Sequence, residues 1–145
     1  KTSQVMKLLY NPTQLTCNLT IGDFPPCTGI QKLTGFSRGW HHWNSIRLGY
    51  NRSENSDVIR LWLYTYIRGK QKSKVIGYGK AGESFNVMLT WDYVWAEAIV
   101  GNQSALIYNG NHACKLGYQL YPYAEIDGTE IRKPFEPDVR DLKIS

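Results

Sequence analysis

One short run, Gly39-Trp40-His41-His42-Trp43-Asn44-Ser45, brings together two imidazoles, two indoles and a hydroxyl. Histidine beside serine can supply a base and a nucleophile, with a carboxylate such as Asp57 or Asp92 to orient the ring. The spacing argues against that reading. Ser45 lacks the Gly-x-Ser-x-Gly setting of a nucleophile elbow, and adjacent histidines on a strand point to opposite faces, so only one could serve a given site. Imidazole is also the commonest zinc ligand, yet His41-His42 with His112 far away and no Cys-x-x-Cys pair is poor ligand spacing. The expectation is therefore no catalytic residue, no metal and no cofactor. His41, His42, Asn44 and Arg47 are read as structural, tying down a tight connection by hydrogen bonds, with Trp40 or Trp43 plugging one end of the fold.

A second chemistry lies in Trp62, Tyr64 and Tyr66, which alternate along one stretch and are flanked by Arg60 and Arg68. An aromatic and cationic stripe of this kind suits stacking of sugar rings, or burial against a partner protein, because Tyr, Trp and Arg offer large rigid contact area. The candidate binding residues are Trp40, Trp43, Trp62, Tyr64, Tyr66 and Arg60. Packing of the same face beneath a loop is the competing reading. Single-stranded nucleic acid is disfavoured, since the net charge is only +5 and no nucleic-acid motif is present. The basic run Arg68, Lys70, Lys72, Lys74 and Lys80 reads as a solvated turn and the strand after it.

The elements that must position these residues are strands. Between Val58 and Ile67 the aliphatic Ile59, Leu61, Leu63 and Ile67 alternate with Arg60, Trp62, Tyr64 and Tyr66, a period of two that sends one set into a core. Ser84 to Trp91 repeats the pattern through Phe85, Val87, Leu89 and Trp91, and Ser45 to Tyr50 does so through Ile46, Leu48 and Tyr50. Leu116, Tyr118 and Leu120 alternate with Gly117, Gln119 and Tyr121, which is strand-like as well. Weaker strand signals run over 4–10, 15–21, 31–36, 74–78, 93–100, 105–108 and 139–144, where 93–100 suits a short helix equally well. Turn signals such as Asn51 to Asp57, Arg68-Gly69-Lys70 and Asp127-Gly128 separate them, and 134–138 reads as an extended surface loop. The fold class expected is all-β: an antiparallel two-sheet sandwich, jelly-roll-like, of roughly nine to eleven short strands.

A chain of 145 residues suits one domain spanning residues 1–145, large enough to bury a core unaided. No apolar run reaches the roughly 20 residues that a membrane helix needs, so membrane insertion is not expected. The chain starts at Lys1, as a processed mature form would. Cys17 and Cys27 flank Asp23-Phe24-Pro25-Pro26 at the spacing of a disulfide across a tight turn, with buried free thiols as the alternative. Asn18, Asn51 and Asn102 each begin an Asn-x-Ser/Thr triplet, the acceptor pattern for N-linked sugar. Bridge and triplets together favour an extracellular or cell-surface location.

The stretch Lys32 to Gly49, with its pattern G-x-H-H-x-N-S-x-R-x-G, then Tyr64-Thr65-Tyr66 leading to Gly69-Lys70, then Gly117-Tyr118-Gln119-Leu120-Tyr121-Pro122-Tyr123, resembles a family of small β-sandwich proteins from bacteria and their phages. The resemblance runs from about Lys32 onward. It implies a fold and no activity, and members carry more chain ahead of the position of Lys1. Should that stretch supply a strand, an open sheet edge would invite another copy. Two roles follow as expectations: a non-catalytic extracellular subunit that assembles with copies of itself, in a filament or other homo-oligomer, or a lectin-like module that binds a glycan.

Overall fold

The computed structural model describes residues 7–110, 114–126, 129–131 and 139–145. Two antiparallel sheets face each other, as the alternating patterns require, and no helix occurs among the described residues. One sheet has six strands in the order β1 (Leu8–Tyr10), β10 (Leu116–Leu120), β3 (Cys27–Ser37), β4 (Asn44–Arg52), β5 (Val58–Ile67) and β6 (Lys70–Lys80). The other has five, in the order β13 (Val139–Ile144), β2 (Gln14–Thr20), β7 (Ser84–Trp91), β8 (Trp95–Val100) and β9 (Gln103–Tyr108). A separate two-stranded hairpin joins β11 (Ala124–Ile126) to β12 (Thr129–Ile131). The Asp127-Gly128 turn and the loop expected over 134–138 lie outside the described residues.

The period of two works as read on β4, β5 and β7. Ile46, Leu48 and Tyr50, then Ile59, Leu61 and Leu63, meet Val87, Leu89 and Trp91 in one buried cluster between the sheets. Ala96 and Ala98 lie opposite Trp91 and Leu89 on the neighbouring strand, small residues beside large ones on the same inner face. The 93–100 segment is a strand from Trp95 onward and not a helix. Its apolar residues Ala96, Ala98 and Val100 recur every second position and are buried. The alternation on β10 marks a strand but not one core face: Leu116 is exposed, Leu120 is buried, and Gly117 is buried where a side chain would run into the Ser37 carbonyl.

The segment between β2 and β3 carries the chain from one sheet to the other, so it is not the tight turn expected from its prolines. Phe24 fills that end of the sandwich, fully buried against Tyr50 at 4.7 Å between ring centroids, while the Tyr50 hydroxyl donates to the Pro25 carbonyl at 3.2 Å. This crossing overturns the expected disulfide. Cys17 and Cys27 are free thiols, one buried on the inner face of β2 and the other opening β3 in the opposite sheet. Burial pushes the Cys17 thiol up to about 12, so it stays protonated.

Trp40 and Trp43 do not plug the sandwich either, being 62% and 51% exposed on the connection between β3 and β4. The β5–β6 hairpin turns through Arg68 and Gly69, both at positive φ as a two-residue turn with the twist of its strands demands. The lysines that follow, Lys70, Lys72 and Lys74, are exposed as expected. At the other edge Gln103 clasps the two sheets, accepting from the Tyr78 amide at 2.9 Å and donating to the Tyr78 carbonyl at 3.1 Å.

If the shared interior carries the stability, Leu63→Ala should lower the unfolding free energy by about 2–5 kcal/mol. Leu106→Ala, 40% exposed on β9, should change it by about 0.5 kcal/mol or less. Urea denaturation of the two variants checks this, and equal losses would contradict the assignment of faces.

Candidate functional site

With the aliphatic residues of β4 and β5 facing inward, Arg47, Trp62, Tyr64 and Tyr66 must face the other way. The register sets Arg47 directly beside Tyr64 and Ser45 beside Tyr66. The chain rising from β10 passes over the same face of the sheet. Together these elements enclose a cleft of about 550 Å³ whose walls include Lys32, His41, His42, Arg47, Tyr64 and Tyr118. Its floor is outward-facing sheet and its rim is the segment Gln119 to Tyr123.

His41 and His42 do not point to opposite faces, because they lie in the turn between β3 and β4 and not on a strand. Their rings are 4.2 Å apart and both line the cleft. The Tyr118 hydroxyl accepts from the His41 backbone amide at 2.9 Å and bonds the His41 Nδ1 at 2.8 Å. Rings continue around the wall from His42 to Tyr66 at 5.3 Å and from Tyr66 to Tyr64 at 6.0 Å. The Lys32 ammonium sits 4.5 Å from the centre of the Tyr64 ring, within range of a cation–π contact. Burial, then the neighbouring charges of His42 and Arg47, holds the His41 imidazole below its ordinary value.

Arg47 is the least satisfied of the partly buried arginines. Arg38 donates from all three nitrogens, to the Cys114 carbonyl, the Pro12 carbonyl and the Asn11 side chain. Arg52 reaches the Ser56 and Phe24 carbonyls at 2.7 and 2.6 Å and Asp23 at 3.5 Å. Arg47 makes one bond, from Nη2 to the Tyr121 carbonyl at 3.0 Å, and its Nε is buried with no acceptor. A buried donor left unpaired costs about 1–3 kcal/mol. Burial draws the Arg47 guanidinium down to about 10, so it remains charged at neutral pH. None of the described residues lining the cleft is acidic.

The other sequence candidates divide between this cleft and the rest of the surface. Tyr64 and Tyr66 belong to the cleft, but the stripe splits along β5: Arg60 lines a second depression of about 340 Å³ with Tyr78, Asn51 and Arg52. Trp62 spans the interval and donates from its indole nitrogen to the Asn51 side chain at 2.8 Å. Trp40 stands at the margin with its ring 5.1 Å from His42, and Trp43 packs against Gly69. Asn44 is buried and its side-chain oxygen accepts from the Arg68 amide at 3.2 Å. The Ser45 hydroxyl donates to the His41 carbonyl and not to an imidazole, while Asp92 accepts from the Val94 and Trp95 amides. Among the glycosylation triplets, Asn51 donates to the Thr28 carbonyl, Asn18 pairs with Asn86, and Asn102 sits on the exposed β8–β9 turn.

Sequence reasoning missed Lys32, Tyr118, Tyr121 and the role of Arg47 in the cleft. The signal that could have found them is the pair of distinctive runs at 39–49 and 117–123, which meet here across the β10–β3 pairing.

Among solved structures the chain is similar to an alginate lyase from Alteromonas sp. 272, with 8% identity and a TM-score of 0.59 over 94% of this chain and 72% of that one. A polysaccharide lyase of family 18 matches with the same coverage at 9% identity and a TM-score of 0.59. Congerin II in its lactose- and MES-liganded structure matches over 97% of this chain and all of its own, at 12% identity and a TM-score of 0.52. The shared feature is the fold, a two-sheet β-sandwich. No family model and no curated relative matches the sequence.

The lowered His41 value has a stability consequence. Between the folded value and the ordinary value of about 6.5 the unfolded chain binds the extra proton, so this group's burial is fully tolerated above about pH 6.5 and penalises folding as the pH falls through it. An NMR titration of the His41 ring should give a midpoint below about 6.5, and the His41→Gln variant should lose part of the acid-side fall in stability. A midpoint above 6.5 would contradict the burial of this ring.

Proposed function

We propose that this protein is a carbohydrate-binding module and that the cleft over β4 and β5 is its binding site. The observation that carries the reading is the ring array itself. Tyr64, Tyr66, His42, His41 and Tyr118 line one cleft with donors and acceptors between them, on a rigid sheet floor. Saccharides are recognised in this manner, by apolar ring faces packing on aromatic side chains while hydroxyls find a few fixed polar partners. A cleft of about 550 Å³ is within the size of small-ligand sites and suits one or two sugar residues held across the sheet. The fold adds support of a general kind, since proteins that act on or bind saccharides share it.

Of the two roles that the sequence allowed, the cleft favours glycan binding over self-assembly. A purely structural subunit has no need of a buried, half-satisfied guanidinium on an outward face. The reading is of binding without catalysis: the hydroxyl of Ser45 is committed to a backbone carbonyl, and the cleft's polar groups act as donors and acceptors for a bound ring.

Screening against a glycan array, followed by titration of tryptophan and tyrosine fluorescence, tests this. At least one oligosaccharide should bind, and Tyr64→Ala together with Tyr66→Ala should weaken it by about tenfold or more while the chain stays folded, as each lost stacking contact is worth about 1 kcal/mol. Unchanged affinity in that variant would move the site elsewhere.

A further inference from the structure

We infer that the ligand of this cleft is an acidic saccharide, a uronic-acid-containing chain whose carboxylate is received by Arg47 with help from Lys32. The inference rests on the glycan reading above and names its substrate class.

Three observations converge on it. Arg47 has five N–H donors and uses one, whereas Arg38 and Arg52, set into the same sandwich, each make several bonds. The unused Nε is cut off from bulk water, so it has no acceptor of any kind among the described residues. A guanidinium in that state is a fork awaiting a planar acceptor, and carboxylate is the group whose two oxygens match it. The second observation is sign. Lys32 and Arg47 line the cleft and none of its described residues is acidic, so the field of these two cations favours an anion there. The third is placement. The cations stand among aromatic rings, Lys32 over Tyr64 and Arg47 beside it in register, so charge and stacking surface are offered to the same ligand at once. Inorganic anions would use the charge and leave the rings idle. Neutral sugars would use the rings without meeting the charge of Arg47, whose one bond is to the Tyr121 carbonyl.

A carboxylate in the cleft would also engage groups that are already ordered. The Tyr121 carbonyl holds one guanidinium nitrogen, and the Tyr118 hydroxyl holds the His41 backbone and ring, so little side-chain freedom is lost on binding.

The test is calorimetric titration of the full chain with oligomers of galacturonate, of mannuronate and guluronate, and of glucuronate-containing hyaluronan, each beside its methyl ester. Esterification removes the charge and keeps the shape. One acid should bind at least about tenfold more tightly than its ester, and its affinity should fall as salt rises. Arg47→Lys should lose about tenfold or more. Because Arg47 is partly buried, Lys32→Met serves as a second variant outside the core and should lose several-fold, whereas Lys143→Ala, an exposed cation on the other sheet, should lose nothing. Acid and ester binding equally, or only neutral oligosaccharides binding, would overturn the carboxylate assignment and leave the glycan reading standing. Binding of neither acids nor neutral glycans would overturn both.

Discussion

On β4 and β5 a side chain has two places to go, into the dry space between the sheets or onto the outward face, and successive residues must alternate between them. Burying Leu48, Leu61 and Leu63 therefore determines where Arg47, Tyr64 and Tyr66 stand. A slip of one residue in either strand would put an arginine into the core and aliphatic groups into the cleft, at a cost no local adjustment could offset. The core that stabilises the sandwich and the surface that forms the site are thus two faces of one pattern. Close backbone approach at Gly117, where a side chain would collide with the Ser37 carbonyl of β3, lets β10 sit on the sheet and brings Tyr118 and Tyr121 over the same face.

What distinguishes this face is an electrostatic imbalance held in place by that geometry. Arg38 and Arg52 are spent on structure, each binding carbonyls from separate loops and so anchoring the segments around 11–12 and 23–24. Arg47 is held by one carbonyl and walled in by tyrosines, a burial that draws its pKa down to about 10 yet leaves it charged at neutral pH and underused. Folding alone does not account for such a group, because a leucine or methionine at that position would face the same rings without the desolvation of a cation. The imbalance makes sense when a ligand completes it, and it is the reason an acidic sugar, in preference to self-association, is proposed for the cleft.

The sandwich was legible wherever a strand has one wet and one dry face. Val58–Ile67 and Ser84–Trp91 read correctly because their partition into faces is complete within the strand. Leu116 to Leu120 also forms the strand its alternation indicates, although β10 lies next to the short outer strand β1 and buries Leu120 but not Leu116. Cys17 and Cys27 misled because nearness in sequence says nothing about which sheet a residue joins once the chain crosses between layers. The site was half legible. Tyr64 and Tyr66 declared themselves by alternation, but Tyr118 meets His41 across 77 residues and Tyr121 meets Arg47 across 74, contacts that no local pattern encodes. The premise that the two histidines point apart fails for a related reason: a strand would have split the rings, and the turn that joins β3 to β4 turns both into the cleft.

The most direct measurement of the central claim is a two-dimensional NMR map of backbone amides and arginine Nε–H groups as an oligouronide is added. The account predicts that shifted resonances concentrate in 41–49, 64–66 and 118–121, with the Arg47 Nε–H moving downfield as it gains an acceptor. Shifts centred instead on the Arg60 depression or on the outer face of β8 and β9, with the Arg47 resonance unmoved at saturation, would contradict it.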